Sequence, residues 1–190
     1  MIKTIVIAVL VLLVVPLAAI LVFAATKPDT FRVQRMTSIQ APPERIFPLI
    51  NDFHRWTHWS PWEKLDPNLK RTYSGAEQGV GASYEWSGNA KAGAGKMTIK
   101  ESTPNQHIVI ELLFTKPFAA NNKGEFTLSP KDGGTEVVWT MSGQSNFVAK
   151  LFSVFMDMDK VVGAQFDEGL ANLGRVAGGG GGEKQLSPHA

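Results

Sequence analysis

Asp159 is the carboxylate most at odds with its sequence surroundings. At about 100° per residue it falls on the same helical face as Phe155, Val162 and Phe166, whereas Asp157 points the other way. A carboxyl group facing an apolar cavity has a raised pKa and can bind or protonate a ligand. The competing reading is a carboxylate at the edge of the apolar stripe, paired with a base or reaching water. Glu101 shares a strand face with Met97 and Ile99, and Glu111 alternates with Ile110 and Leu112. Either one beside Asp159 would make a paired-carboxylate acid/base site. Both also read as solvated or sheet-edge positions.

Other chemistry is poorly supported. His54 and His58 are four apart, the spacing that places two imidazoles on one helical face. They lack an evident third ligand and lie in a tryptophan-rich turn, so no metal is expected. The chain has no cysteine, which excludes disulfides, thiol nucleophiles and thiolate-held metals. Ala92-Gly-Ala-Gly-Lys96 suggests a phosphate loop, but Ala90 stands where the first glycine is required and Met97 where a hydroxyl is required. Gly79-Val-Gly81 has Tyr84 in place of the third glycine of a dinucleotide fingerprint. No nucleophile elbow or zinc-protease motif is present, and no cofactor is expected.

The aromatic residues form the larger constellation. Trp56, Trp59, Trp62, Tyr84, Trp86, Phe114, Trp139, Phe152 and Phe155 can line a hydrophobic ligand pocket, since such pockets are mostly apolar with few polar groups. Taken singly, each also reads as core. All of them except Trp62, together with Asp159, are the candidate ligand-binding set.

The elements that must position these residues are legible from period and punctuation. Phe31–Ile39 reads as a strand. Ala41-Pro-Pro-Glu44 stops it and starts a short helix carrying Ile46, Phe47, Leu49 and Ile50, which Pro48 should kink or shorten. An aromatic-rich turn region covers Asp52–Pro67. The pattern then changes to period two: Tyr84 and Trp86; Met97, Ile99 and Glu101; Ile108, Ile110, Leu112 and Phe114; Phe126 and Leu128; Val137, Trp139 and Met141. Turn residues separate these runs, including Thr103-Pro-Asn105, Lys116-Pro117 and Lys131-Asp-Gly-Gly134, so the strands form an antiparallel meander. Val148, Leu151, Phe152, Phe155, Met158, Val162, Phe166, Leu170 and Leu173 recur at steps of three and four, the stripe of one long amphipathic helix over about 147–176. It is the only element able to cover the apolar face of the sheet.

Several segments in this order resemble one family. Ile39-Gln-Ala-Pro-Pro-Glu-Arg-Ile-Phe47 resembles the entry motif of the START-related SRPBCC superfamily. Trp56-Thr-His-Trp-Ser-Pro-Trp62, Gly79-Val-Gly81, Gly134-Thr-Glu-Val-Val-Trp139 and the terminal helix are similar to its polyketide cyclase/dehydrase-like branch. The resemblance covers about 31–176. It implies an α+β helix-grip fold, a curved antiparallel sheet wrapped around a long C-terminal helix. It also implies a pocket for a lipid, sterol, polyketide or similar ligand, and it does not specify a reaction.

The remaining segments are an N-terminal anchor over 1–26 and a glycine-rich tail over 177–190, expected to be disordered. Ile5–Ala25 is 21 residues without a charged or strongly polar side chain, bracketed by Lys3 and Lys27. That is the length of a single transmembrane helix and longer than a signal-peptide core. Lys27, Arg32, Arg35 and Arg45 favour a cytoplasmic domain by the positive-inside rule, while the short charged N-terminal tail argues the reverse, so the membrane face stays open. The formal charge is +2, from 19 Lys+Arg against 17 Asp+Glu, and gives no support to nucleic-acid binding. The expected function is a membrane-tethered protein that binds a hydrophobic small molecule or lipid. An enzyme of the cyclase/dehydrase type is the alternative, and a structural protein with a vestigial pocket is the third reading.

Overall fold

The structure is a computed structural model. It describes residues 2–179, and within the first helix the side chains of Lys3, Leu10 and those from Leu12 onward. The elements are α1 (Ile2–Ala25), β1 (Thr30–Ile39), α2 (Pro43–Asn51), two 3₁₀ turns (Phe53–His58 and Pro61–Lys64), β2 (Lys70–Gly75), β3 (Ala82–Ser87), β4 (Ala94–Thr103), β5 (His107–Lys116), β6 (Ala120–Lys131), β7 (Gly134–Gln144), α3 (Phe147–Phe155) and α4 (Met158–Ala177). The strands form one curved, antiparallel, seven-stranded sheet in the order β1-β7-β6-β5-β4-β3-β2. This is the α+β helix-grip arrangement.

The chain enters at one edge, crosses by α2 and the 3₁₀ turns, and begins its meander at the other edge. Pro43 occupies the first turn of α2, where a missing N–H costs nothing, and Glu44 lies in the same turn. Asp52 ends α2 in extended conformation and caps the next turn by accepting from the His54 backbone N–H. At the β6–β7 hairpin, Asp132 and Gly133 both have positive φ, the conformation that a two-residue type I′ turn requires. The core lies between the inner face of the sheet, α2, the tryptophan-rich turns and α4.

Three expectations on the elements need correction. β2 was not foreseen, because its residues are nearly all exposed and carry no apolar alternation. A register shift between Ile99 and Glu101 breaks the period of β4. Beyond it Glu101 is exposed, and the Ser102 hydroxyl donates to Asn51 Oδ1 at 2.7 Å; a one-residue bulge exchanges the faces of a strand. The third correction is the single C-terminal helix, which is two helices. Met156 and Asp157 are extended, and the Asp157 side chain accepts from the Lys160 backbone N–H to start α4 afresh. The steps from Phe155 to Met158 and on to Val162 are three and four, so the apolar period runs through the break unchanged.

α4 lies across β1 and packs on α2, whereas α3 turns away and packs on α1. α4 approaches the sheet closely at Gly169, where any Cβ would stand 2.8 Å from the Trp139 ring. Among the described residues no helix is long and apolar enough to cross a membrane, so the expected spanning helix is not borne out. Of the glycine-rich tail, residues 180–190 lie outside the described residues.

Candidate functional site

The fold encloses a cavity of ≈ 160 Å³ between the sheet and α4. Its walls follow from the alternation of the strands. Tyr84 and Trp86 come from β3, Met97 from β4, and Ile110, Leu112 and Phe114 from β5. Gly124 and Phe126 come from β6, and Trp139 and Met141 from β7. Val162 and Phe166 of α4 close one side, while Trp56, Ser60, Trp62, Glu63, Leu69 and Ala92 close the rest. The aromatic rings fix one another: Trp139 stacks on Phe166 at 4.1 Å and on Phe126 at 4.7 Å, and Trp62 meets Trp139 edge-on at 5.4 Å.

Of the candidate ligand-binding residues, Trp56, Tyr84, Trp86, Phe114 and Trp139 come together on this cavity. Trp59 does not border it. It is fully buried beneath Trp56 and donates its indole N–H to the Leu49 carbonyl at 2.9 Å. Phe152 and Phe155 lie on α3, 49% and 72% exposed, with Phe152 against Phe118. The break before α4 separates them from the pocket.

Asp159 also lies outside the cavity. Its carboxylate faces solvent and accepts from both terminal nitrogens of Arg35, at 2.9 and 3.0 Å, while Arg35 Nε reaches Asp167 at 3.3 Å. The Arg35 hydrogen bond holds the Asp159 carboxyl below its ordinary range, against the expected rise. A folded-state pKa below the unfolded value adds stability above that value, and the stability is lost as pH falls through the lower one. Water screens this exposed pair. Asp159→Asn is therefore expected to leave the melting temperature near wild type at neutral pH and cavity affinity unchanged. Whatever small advantage the wild type holds over the variant is present at neutral pH and fades as pH falls below the usual carboxylate range. A ligand affinity that titrates with Asp159 would contradict this placement.

Glu101 and Glu111 are likewise remote from the pocket; Glu111 pairs with Lys100 at 2.9 Å. His54 contacts Asp52 at 2.9 Å and stacks on Tyr73, and His58 contacts the Arg55 carbonyl. Among the described residues no cluster of three or more potential ligands could hold a metal ion.

One polar group at the cavity escaped the sequence reading. Glu63 stands in the second 3₁₀ turn with its side chain 7% exposed. Its Oε1 accepts from the Tyr84 hydroxyl at 2.7 Å and its Oε2 from Arg71 Nε at 2.6 Å. Burial, then the bond to Glu63, pushes the Tyr84 hydroxyl far above the ordinary phenol range, so it stays protonated and donates. The Glu63 bond likewise raises Arg71. The only sequence signal for Glu63 was its place directly after the Trp56–Trp62 run.

Residues 30–178 match the family model described as polyketide cyclase / dehydrase and lipid transport. Among solved structures, the chain is similar to a protein from Chromobacterium violaceum at 17% identity and TM-score 0.56, over 80% of this chain and 98% of that one. It is similar to the Aha1 dimer from Colwellia psychrerythraea at 17% identity and TM-score 0.58, over 80% and 99% of the two chains. A third similar structure is the di-domain ARO/CYC StfQ from the steffimycin biosynthetic pathway, at 8% identity and TM-score 0.58, over 79% of this chain and 51% of that one. Identities this low establish a shared fold. No curated protein matches the chain in sequence. On the match over 30–178, this chain belongs to the polyketide cyclase / dehydrase and lipid transport family.

Proposed function

We propose that this protein binds a hydrophobic small molecule between its sheet and α4, and that α1 tethers it to a membrane. The observation that carries the binding reading is the ≈ 160 Å³ cavity with its mostly aromatic and aliphatic wall. A dry cavity of about 150 Å³ takes benzene, and drug-sized pockets run to about 300–1,000 Å³. The fitting occupant is a single ring or a short acyl segment; a sterol or a two-chain lipid is larger. The family description, which includes lipid transport, supports the same ligand class.

The tether reading rests on the 21-residue apolar run of Ile5–Ala25 and on exposure. Leu12, Leu13, Val22 and Phe23 are each more than half exposed. Phe147, Val148, Phe152 and Phe155 of the adjoining α3 add further exposed apolar surface. Contiguous apolar surface on this scale marks a lipid or protein partner. After an alkaline carbonate wash of membranes, the full chain should stay in the pellet. Release into the supernatant would sink the tether. In lipid nanodiscs, toluene should bind the full chain saturably beyond an empty-disc blank, and strictly linear uptake would sink the cavity reading.

A second reading, an enzyme of the cyclase/dehydrase type, is favoured by Glu63 and Tyr84 meeting at the cavity wall, since paired ionisable groups can move protons. Its test is a turnover that Glu63→Gln abolishes while substrate binding persists; no loss of turnover would dismiss Glu63 as the acting group.

A further inference from the structure

The apolar wall of the cavity is interrupted where Ser60, Glu63 and Tyr84 border it. A carboxylate as buried as that of Glu63 persists only where other groups match its lone pairs. Tyr84 and Arg71 supply one hydrogen bond to each oxygen. Arg71 stands behind the wall on β2, and its terminal nitrogens also donate to the carbonyls of Leu69 and Glu63 at 3.1 and 3.3 Å. The Tyr84 and Arg71 donors are therefore engaged, while each carboxylate oxygen retains a second lone pair. The corner offers the cavity acceptor capacity, with its charge balanced from behind by Arg71.

We propose that Glu63 anchors the ligand, and that the cavity takes a neutral, ring-sized molecule bearing a hydroxyl group that donates to the Glu63 carboxylate. This deepens the binding reading above and rests on it. A carboxylate ligand would meet the like charge of Glu63, and an ammonium ligand would leave its hydration shell for an apolar wall. A hydroxyl brings the missing donor without a charge.

The test is calorimetric titration of the full chain in lipid nanodiscs with phenol and toluene, against empty-disc blanks. Phenol should bind wild type more tightly than toluene, although it leaves water less readily. Glu63→Met, which removes both oxygens and keeps the side-chain length, should weaken phenol about tenfold, the scale of a lost hydrogen bond to a charged group. Toluene affinity should stay within twofold. Tyr84→Phe leaves the carboxylate in place and should keep the preference for phenol. Tighter toluene than phenol on wild type, or an equal loss of both probes in Glu63→Met, would overturn the proposal. If Glu63→Met does not fold, the wild-type order of the two probes decides alone. Binding of neither probe refutes the cavity reading beneath it, an outcome distinct from loss of the preference alone.

Discussion

Replacing Gly124 with leucine is expected to raise the melting temperature slightly while weakening every cavity ligand by about fivefold or more. Gly124 lies on β6 with its neighbours of the same face, Asn122 and Phe126, pointing inward, and it borders the cavity. A Cβ built there meets only Ile110, at an ordinary contact distance of 3.7 Å. Its φ is not positive, so a side chain is not strained there. Glycine inside a strand costs about 0.5–1 kcal/mol relative to alanine, and a leucine side chain gains apolar burial in an otherwise empty space. The same atoms then occupy the volume a ligand needs, and overpacking costs about 1–3 kcal/mol, roughly fivefold to 150-fold in affinity. Gain of stability with loss of binding is a pairing that general unfolding cannot produce. Thermal melts and toluene titrations of the two proteins check it.

Trp59→Ala is expected to have the opposite signature. Trp59 is fully buried, and its ring centroid lies 4.7 Å from that of Trp56 and 5.5 Å from that of Trp139. Its indole N–H satisfies the Leu49 carbonyl, and its own carbonyl accepts from Asn172 of α4 at 3.1 Å. Truncation removes the ring that ties the turn segment to the sheet and leaves a cavity beneath the pocket wall. Losses of about 3–5 kcal/mol follow from comparable Trp or Phe truncations, which lowers the melting temperature by roughly 6–20 °C in a chain of this length. Phe155→Ala, on the exposed face of α3, should change stability by less than about 0.5 kcal/mol. Equal effects of the two substitutions would mean that α3, and not the Trp59 layer, carries the core.

The sequence made the strands from β3 onward legible, because Tyr84, Ile110, Phe126 and Trp139 alternate with polar residues and turn residues mark each reversal. The same alternation placed Tyr84, Trp86, Phe114 and Trp139 on one cavity, where Trp56 joins them from the first 3₁₀ turn, five of the nine candidate residues. It failed where local chemistry competes with period. The bulge at Ile99–Glu101 moved Glu101 outward, and the cap at Asp157 split a stripe whose spacing is continuous. That split carried Phe152 and Phe155 off the pocket. Asp159 failed for a different reason. Its partner Arg35 is remote in sequence on β1, and helical projection of one segment cannot show a base arriving from another. Glu63 was illegible because its meaning depends on two long-range partners, Tyr84 and Arg71, brought together by the turn of Pro61–Lys64. Gly124 carries no side chain to read, although its vacancy is what leaves room for the cavity.

The central claim is that the space between sheet and α4 is a ligand site, and the most direct measurement is paired toluene isotherms of the wild-type full chain and Gly124→Leu in nanodiscs. The account predicts saturable binding to wild type and at least about fivefold weaker binding to the variant, with the variant melting no lower than wild type. Identical isotherms for the two proteins would contradict it.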